Sequence, residues 1–128
     1  MIVHTILCLP GESREMMLDT IRYLNTQDIQ GIKLQLLHIL KHTDLADYYE
    51  KHPFHLPSRE EYYELLGMCI CSLRPDIVIH RLTGDGPKQL LVAPLWTGNK
   101  RQVLNGMQRY FKEQNIWQGK EFIHGRNI

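Results

Sequence analysis

Cysteines at metal-binding spacing are missing from this chain. Its three cysteines, Cys8, Cys69 and Cys71, form no C-x-x-C and no C-x-x-x-C-x-x-C, so there is no visible ligand set for structural zinc or an iron–sulfur cluster. Cys69 and Cys71 stand two apart in an expected helix, which turns their side chains about 200° from one another; both read as structural thiols. An odd number of cysteines also argues against a disulfide framework. Charge of one sign is scarce. Fifteen Lys and Arg against 14 Asp and Glu leave a formal net charge of +1, so bulk electrostatics indicates neither a nucleic acid nor a membrane as partner. No apolar run approaches the length of a membrane span, and the N-terminus has no basic-then-apolar leader pattern. A cytoplasmic location is the resulting expectation. Of the three serines, Ser13 and Ser58 read as helix starts and Ser72 lies within a helix, so spacing supports no catalytic triad. The Gly84-Asp85-Gly86-Pro87 loop lacks the Lys and Ser/Thr of a phosphate-binding loop.

What is present is enough for one domain with a core: 128 residues, 43% hydrophobic and 23% charged. An apolar run from Ile2 to Leu9 reads as a strand that stops at Pro10-Gly11. A helix from Ser13 to Thr26 follows, with Met17, Ile21 and Leu24 as its apolar stripe. Gly31 to Ile39 reads as a second strand, apolar on both faces by Leu36-Leu37, the pattern of a strand buried on both sides. Thr43 caps a short helix to Lys51. Ser58 and Glu61 form a capping box for a third helix with a stripe of Tyr62, Leu65, Leu66, Cys69, Ile70 and Leu73. Arg74-Pro75-Asp76 stops that helix before a third strand, Ile77 to Leu82. A loose apolar passage, Leu90 to Trp96, leads to a last helix from Asn99 to Gln114, with Val103, Met107, Tyr110 and Phe111 inward.

This order gives an α/β fold of parallel βαβ units. The expected domain spans residues 1–114, with 115–128 a polar, partly disordered tail. Three strands are few, since a mean sheet holds about 5–6, and an open sheet edge is expected.

Polar residues gather where the strands end, which is where parallel α/β folds bind ligands. They are Glu12 after the first strand, His38 after the second, and His80, Arg81, Thr83 and Asp85 after the third, with Lys33 and Gln35 inside the second strand. Each has an ordinary structural alternative. Glu12 could serve the helix dipole of the first turn, the histidines could be hydrogen-bonded sheet residues, and Arg81 could pair with Asp85. The other histidines, His4, His42, His52, His55 and His124, have no metal-like spacing. Spacing alone yields a cofactor-binding α/β unit and no reaction.

Specific stretches carry a resemblance. Ile6-Leu7-Cys8-Leu9-Pro10-Gly11-Glu12, then Lys33 to Lys41 with Thr43-Asp44-Leu45-Ala46, resemble the C-terminal half of a radical SAM enzyme. His80-Arg81-Leu82-Thr83-Gly84-Asp85-Gly86-Pro87, Leu91-Val92-Ala93-Pro94-Leu95-Trp96 and Lys100 with Val103-Leu104-Asn105 narrow this to the YhcC-type radical SAM family, related to the elongator catalytic subunit, MiaB and NifB group. The resemblance reaches to about Phe111. It implies the later strands of a partial (β/α)6 barrel. The segment around Ile6, Cys8, Leu9, Pro10, Gly11 and Glu12 would lie against the adenine of S-adenosylmethionine, and Lys33, Gln35, His38, His80, Arg81, Thr83 and Asp85 would face the substrate. Two positions depart from the family pattern: Cys8 stands where Gly is usual, and Gln35 where close relatives have His.

The family's [4Fe–4S] cluster is held by a C-x-x-x-C-x-x-C loop and supports reductive cleavage of S-adenosylmethionine. No residue of this chain corresponds to that loop. The expectation is a chain that works as part of a radical SAM enzyme of unknown substrate, partnered by a cluster-bearing N-terminal half-barrel and not generating a radical by itself. The competing expectations are a stand-alone binding or scaffold module that forms a homodimer through its open sheet edge, and an unrelated half-barrel enzyme using His80 and Lys33 as acid and base.

Overall fold

Where the chain forms strands, it places alternate residues on two unlike faces, and this asymmetry organises the molecule. The structure is a computed structural model that describes residues 1–83 and 88–125. Three parallel strands, β1 (Ile2–Leu7), β2 (Gly31–Leu36) and β4 (Val78–Arg81), lie in the order β1-β2-β4. Between them run α1 (Arg14–Asn25), a two-residue strand β3 (Ile39–Leu40), α2 (Asp44–Lys51) and α3 (Arg59–Ser72). After β4 come β5 (Leu91–Ala93), α4 (Lys100–Glu113) and α5 (Lys120–Gly125). The α/β class with parallel βαβ units is therefore the observed one.

Thr5, Leu7, Ile32, Leu34 and Leu36 point to the helical side and are buried against Met17, Ile21 and Leu24 of α1 and Tyr62, Leu66, Cys69 and Ile70 of α3. Their alternates, Ile2, His4 and Ile6 on β1, Lys33 and Gln35 on β2, and Val78 and His80 on β4, are exposed or half-buried. The expectation that β2 is buried on both faces is corrected: among the described residues the helices cover only one face of the sheet. That makes room for Lys33 and Gln35, which a doubly covered strand would have to bury at high cost.

The second strand is also shorter than its apolar run. It leaves the sheet after Leu36, although Leu37 still donates its N–H to the Leu7 carbonyl at 3.0 Å. Ile39 and Leu40 instead pair antiparallel with Ala93 and Leu91. The loose apolar passage thus contains a strand whose partner lies some fifty residues earlier in the chain. The peptide bond between Ala93 and Pro94 is cis.

Helix α3 is buried on more than its expected stripe. Tyr63, Gly67 and Cys71 form a second row at i, i+4, i+8, all buried. Tyr63 donates its hydroxyl to the Val103 carbonyl of α4 at 2.7 Å, and Gly67 packs near Ile116. Residues 116–119 pack against α3 and the loop that follows it. Gly119 donates to the Ile70 carbonyl at 3.0 Å, and Gln118 Nε2 donates to the carbonyls of Arg74 and Ile77 at 2.9 and 2.6 Å.

Helix starts follow the sequence signals. Ser58 accepts from the Glu61 N–H at 3.2 Å while Glu61 accepts from the Ser58 N–H at 3.2 Å. Glu61 also meets His55 Nε2 at 3.0 Å. These partners, His55 first, hold the Glu61 carboxyl below its ordinary value of 4.5. A carboxyl with a lowered folded pKa adds stability above its unfolded pKa and loses it as pH falls through the folded one. The start of α3 is therefore expected to loosen on acidification below about pH 4.5, the ordinary carboxyl value. Amide hydrogen exchange at Glu61 and Tyr62 tests this; Glu61→Gln should remove that pH dependence, and an unchanged profile in the variant would refute the assignment.

Candidate functional site at the strand ends

Strand β1 ends in a tight turn whose geometry follows from its residues. Pro10 and Gly11 occupy the two central positions, Gly11 at φ 77°, and the Glu12 N–H donates to the Leu9 carbonyl at 2.9 Å. Pro at the first central position and a positive-φ Gly at the second are the requirements of a type II turn. Glu12 does not sit in the first helical turn, as expected from sequence. It precedes the Ser13 N-cap, and its carboxylate folds back to accept from the Leu9 N–H at 3.3 Å. Its role in the fold is to close the turn.

Cys8 adopts φ 67°, the left-handed region that Gly enters freely and a side chain enters at a cost of about 1–2 kcal/mol. A Gly at this position would carry no such cost. The Cys8 side chain is only 8% exposed and belongs to the core with Cys69 and Tyr62. Burial, then the Glu12 and Glu61 carboxylates, push its thiol up to about 11, and burial pushes Cys69 up to about 12. Both thiols are protonated at neutral pH and are poor nucleophiles or metal ligands. Beside the turn lies a cavity of about 410 Å³ whose walls include Cys8, Leu9, Gly11, Glu12, Phe54 and His55. Ile6 and Leu9, 44% and 42% exposed, present apolar surface at the same strand end.

The remaining sequence-derived residues divide into two groups. Lys33, Gln35 and His80 share the uncovered sheet face with Ile6. In the parallel register His4 stands beside Lys33 and Ile6 beside Gln35. A register irregularity between Ile32 and Lys33 sets Arg81 opposite Lys33. His80 does not open onto the strand ends as expected. Its Nε2 lies 2.5 Å from where a Cβ on Gly31 would stand, so the ring leans over the first residue of β2, and a side chain there would make the ring shift.

His38 and Thr83 lie elsewhere, around a small cavity of about 10 Å³ with Leu36, Tyr62, Trp96 and Lys100. That volume suits at most one water molecule. Tyr62 donates its hydroxyl to the Leu82 carbonyl at 2.8 Å, its ring centroid is 5.8 Å from that of Trp96, and the Trp96 N–H donates to the Pro57 carbonyl at 3.1 Å. This cluster ties the end of β4 to the start of α3. Asp85 lies outside the described residues, so its expected pairing with Arg81 is not assessed.

His4 is the residue that sequence reasoning passed over. The alternation Ile2, His4, Ile6 against Val3, Thr5, Leu7 was the available signal, but it needs knowledge of which face lacks helices. Among the described residues no group of His, Cys, Asp and Glu could hold a metal ion, and no helix is long and apolar enough to cross a membrane.

Parallel βαβ units, a Pro-Gly turn after the first strand and one uncovered, largely polar sheet face define an α/β domain of parallel topology. The model of the radical SAM C-terminal domain matches residues 29–113, more than half of the chain. The chain belongs to the radical SAM C-terminal domain family. It is 38% identical over 119 residues to the uncharacterized protein YtqA of Bacillus subtilis, covering 93% of this chain and 37% of that protein. It is 30% identical over 121 residues to the uncharacterized protein MJ0486 of Methanocaldococcus jannaschii, covering 94% and 38%. To the protein YhcC of Escherichia coli K12 it is 30% identical over 113 residues, covering 88% and 37%. The chain thus spans well under half the length of these relatives. Among solved structures it resembles Methanocaldococcus infernus Elp3 with an N-terminal deletion, at a TM-score of 0.73 and 16% identity over 91% of this chain and 28% of that one. That likeness shows the shared fold.

Proposed function

We propose that this chain is the late-strand wall of a radical SAM enzyme, with the turn after β1 lying against the adenine of S-adenosylmethionine. The observation that carries the reading is the turn itself. Ile6 and Leu9 stand exposed where a base needs an apolar face, and Gly11 leaves open space, with nothing within 4 Å of where its Cβ would be. The Cys8 side chain is turned into the core, so the departure from Gly does not block that face. Glu12 holds the Leu9 N–H and so fixes the turn rather than touching the ligand. The residues present fit a nucleotide in this way.

The fit does not extend to the cluster. Cys69 and Cys71 are buried on different sides of α3 and Cys8 lies in the core, so a [4Fe–4S] cluster would be held by cysteines of another part of the enzyme. When bound, the cluster supplies the electron for reductive cleavage of S-adenosylmethionine. The residues of this chain position the nucleotide and line the space beside it.

The outer edge of β1 is the surface on which the cluster-bearing half-barrel would complete the sheet, since an exposed strand edge is a template for another strand. A second copy of this chain is the competing occupant of that edge. A concentration-independent dimer of the 128-residue chain in sedimentation equilibrium would favour the homodimer.

The test of function uses the whole protein containing this chain, reconstituted with iron and sulfide and reduced. Release of 5′-deoxyadenosine is expected. Leu9→Asp should lower S-adenosylmethionine affinity at least about tenfold by placing a carboxylate against the base, the equivalent of roughly 1.4 kcal/mol. Absence of cleavage, or a Leu9→Asp variant with unchanged affinity, would overturn the reading.

A further inference from the structure

The strands of the open face contain no acidic residue. β1 reads Ile-Val-His-Thr-Ile-Leu, β2 Gly-Ile-Lys-Leu-Gln-Leu and β4 Val-Ile-His-Arg. Every ionisable residue on them is a base, in a chain whose overall charges almost cancel. On the uncovered face His4 stands beside Lys33, Gln35 follows two residues along, and His80 leans across Gly31 from the third strand. Arg81 is brought opposite Lys33 by the register irregularity. Among the described residues no ion pair engages Lys33, His4 or His80. The chain's carboxylates do form ion pairs, on the helices and loops.

A half-buried Lys lays its stem on the sheet and keeps its ammonium outward, and the strands of this face offer that ammonium no acid. Gly31 strengthens the point. Its position between Ile2 and Val78 in the ladder would suit any β-branched residue, which strands favour. A glycine there weakens the strand but leaves space for the His80 ring, keeping a second base over the face.

Resting on the function proposed above, the geometry points to a substrate that carries a carboxylate or phosphate group, bound on this sheet face by Lys33 with His4, Gln35 and His80 around it. Lys33 supplies the fixed positive charge. Gln35 can donate to a second oxygen of the same group, and the two imidazoles donate from either ring nitrogen according to tautomer.

The experiment is an amide NMR titration of the 128-residue chain with inorganic phosphate and, separately, with succinate, ionic strength being held constant with sodium chloride. Saturable shifts are expected at His4, Lys33, Gln35 and His80. Lys33→Gln should weaken binding about tenfold, the loss of one charge-assisted hydrogen bond. Arg109→Gln, at a separate groove between α3 and α4, should not change it. If Lys33→Gln fails to fold, His80→Gln serves, with a smaller loss expected. Tighter binding of phosphate identifies a phosphate-bearing substrate, and tighter binding of succinate a carboxylate-bearing one. Shifts no larger than those from chloride, shifts confined to the Arg109 groove, or unaltered affinity in the variants would overturn the proposal. The nucleotide reading is tested separately, by the S-adenosylmethionine affinity of the reconstituted whole protein and of its Leu9→Asp variant in equilibrium dialysis. Failure there with anion binding intact refutes the nucleotide reading and not the anion site; the reverse result refutes only the anion site.

Discussion

Arg74→Met is expected to cost the fold about 3–5 kcal/mol, measured as a shift of the urea unfolding midpoint at constant m-value. Arg74 follows α3, and its side chain is only 23% exposed. Its Nη1 donates to the carbonyls of Asn25 and Gln27 at 2.9 and 3.2 Å, and its Nη2 to that of Ile29 at 3.0 Å. Those three carbonyls line the return from α1 into β2. Asn25 completes the junction by accepting from the Arg74 N–H at 2.8 Å and donating to the Ser72 carbonyl at 2.7 Å. Bonds from a charged donor are worth about 1.5–3 kcal/mol each, and bonds sharing one side chain do not add fully. Met keeps the aliphatic length and removes every donor. Asp76 also meets Arg74, at 2.6 Å, but its side chain is 72% exposed, so Asp76→Asn should cost under about 1 kcal/mol. The backbone carbonyls, not the ion pair, carry the effect. Lys should rescue little, because a single ammonium cannot span three carbonyls as a guanidinium does. Wild-type stability in Arg74→Lys would refute this account.

Tyr62→Ala is the second large effect. Tyr62 is 1% exposed, packs with Cys8 and Cys69 in the core, and anchors Leu82 through its hydroxyl. Removing a buried ring costs about 3–5 kcal/mol. Tyr62→Phe separates the two contributions: packing survives, the Leu82 carbonyl loses its donor, and about 1–3 kcal/mol should be lost. Because Leu82 directly follows β4, the Phe variant should also speed amide exchange at Leu82 and Thr83 while leaving Met17 and Ile21 protected. Uniform acceleration across the core would show instead that the hydroxyl serves global stability alone. Burial holds the Tyr62 hydroxyl far above the ordinary tyrosine value, so it acts as a donor throughout the working pH range.

The consequence for the candidate site lies in these two anchors. Arg74 fixes the entry into β2, the strand that carries Lys33 and Gln35. Tyr62 fixes the exit from β4, the strand that carries His80 and Arg81. Neither touches the open face, yet both set the frame on which its bases stand.

The sequence by itself determined the parts governed by local physics. The Ser58–Glu61 capping box, the Thr43 cap, the Pro10-Gly11 turn and the stripes on α1 and α3 depend on residues within a few positions of one another, and each was readable from spacing. The order of β1, α1, β2, α2, α3, β4 and α4 followed from the same periodicities, while β3, β5 and α5 did not. Resemblance in the Leu-Pro-Gly-Glu and Arg-Leu-Thr-Gly-Asp stretches reached the family, which the match over residues 29–113 shows. Tertiary structure alone decided the rest. Leu91–Ala93 reads as loose because its strand partner is distant. The second buried row of α3 is hidden because Tyr63, Gly67 and Cys71 are individually unremarkable, and only α4 and the segment after it make them interior. That Glu12 closes the turn and does not serve the helix dipole, and that His80 lies over Gly31, follow from side-chain directions that no spacing specifies. Alternation along a strand says that its two faces differ. Which face the helices leave open depends on how the crossovers pack, and that choice put His4, Lys33, Gln35 and His80 on one surface.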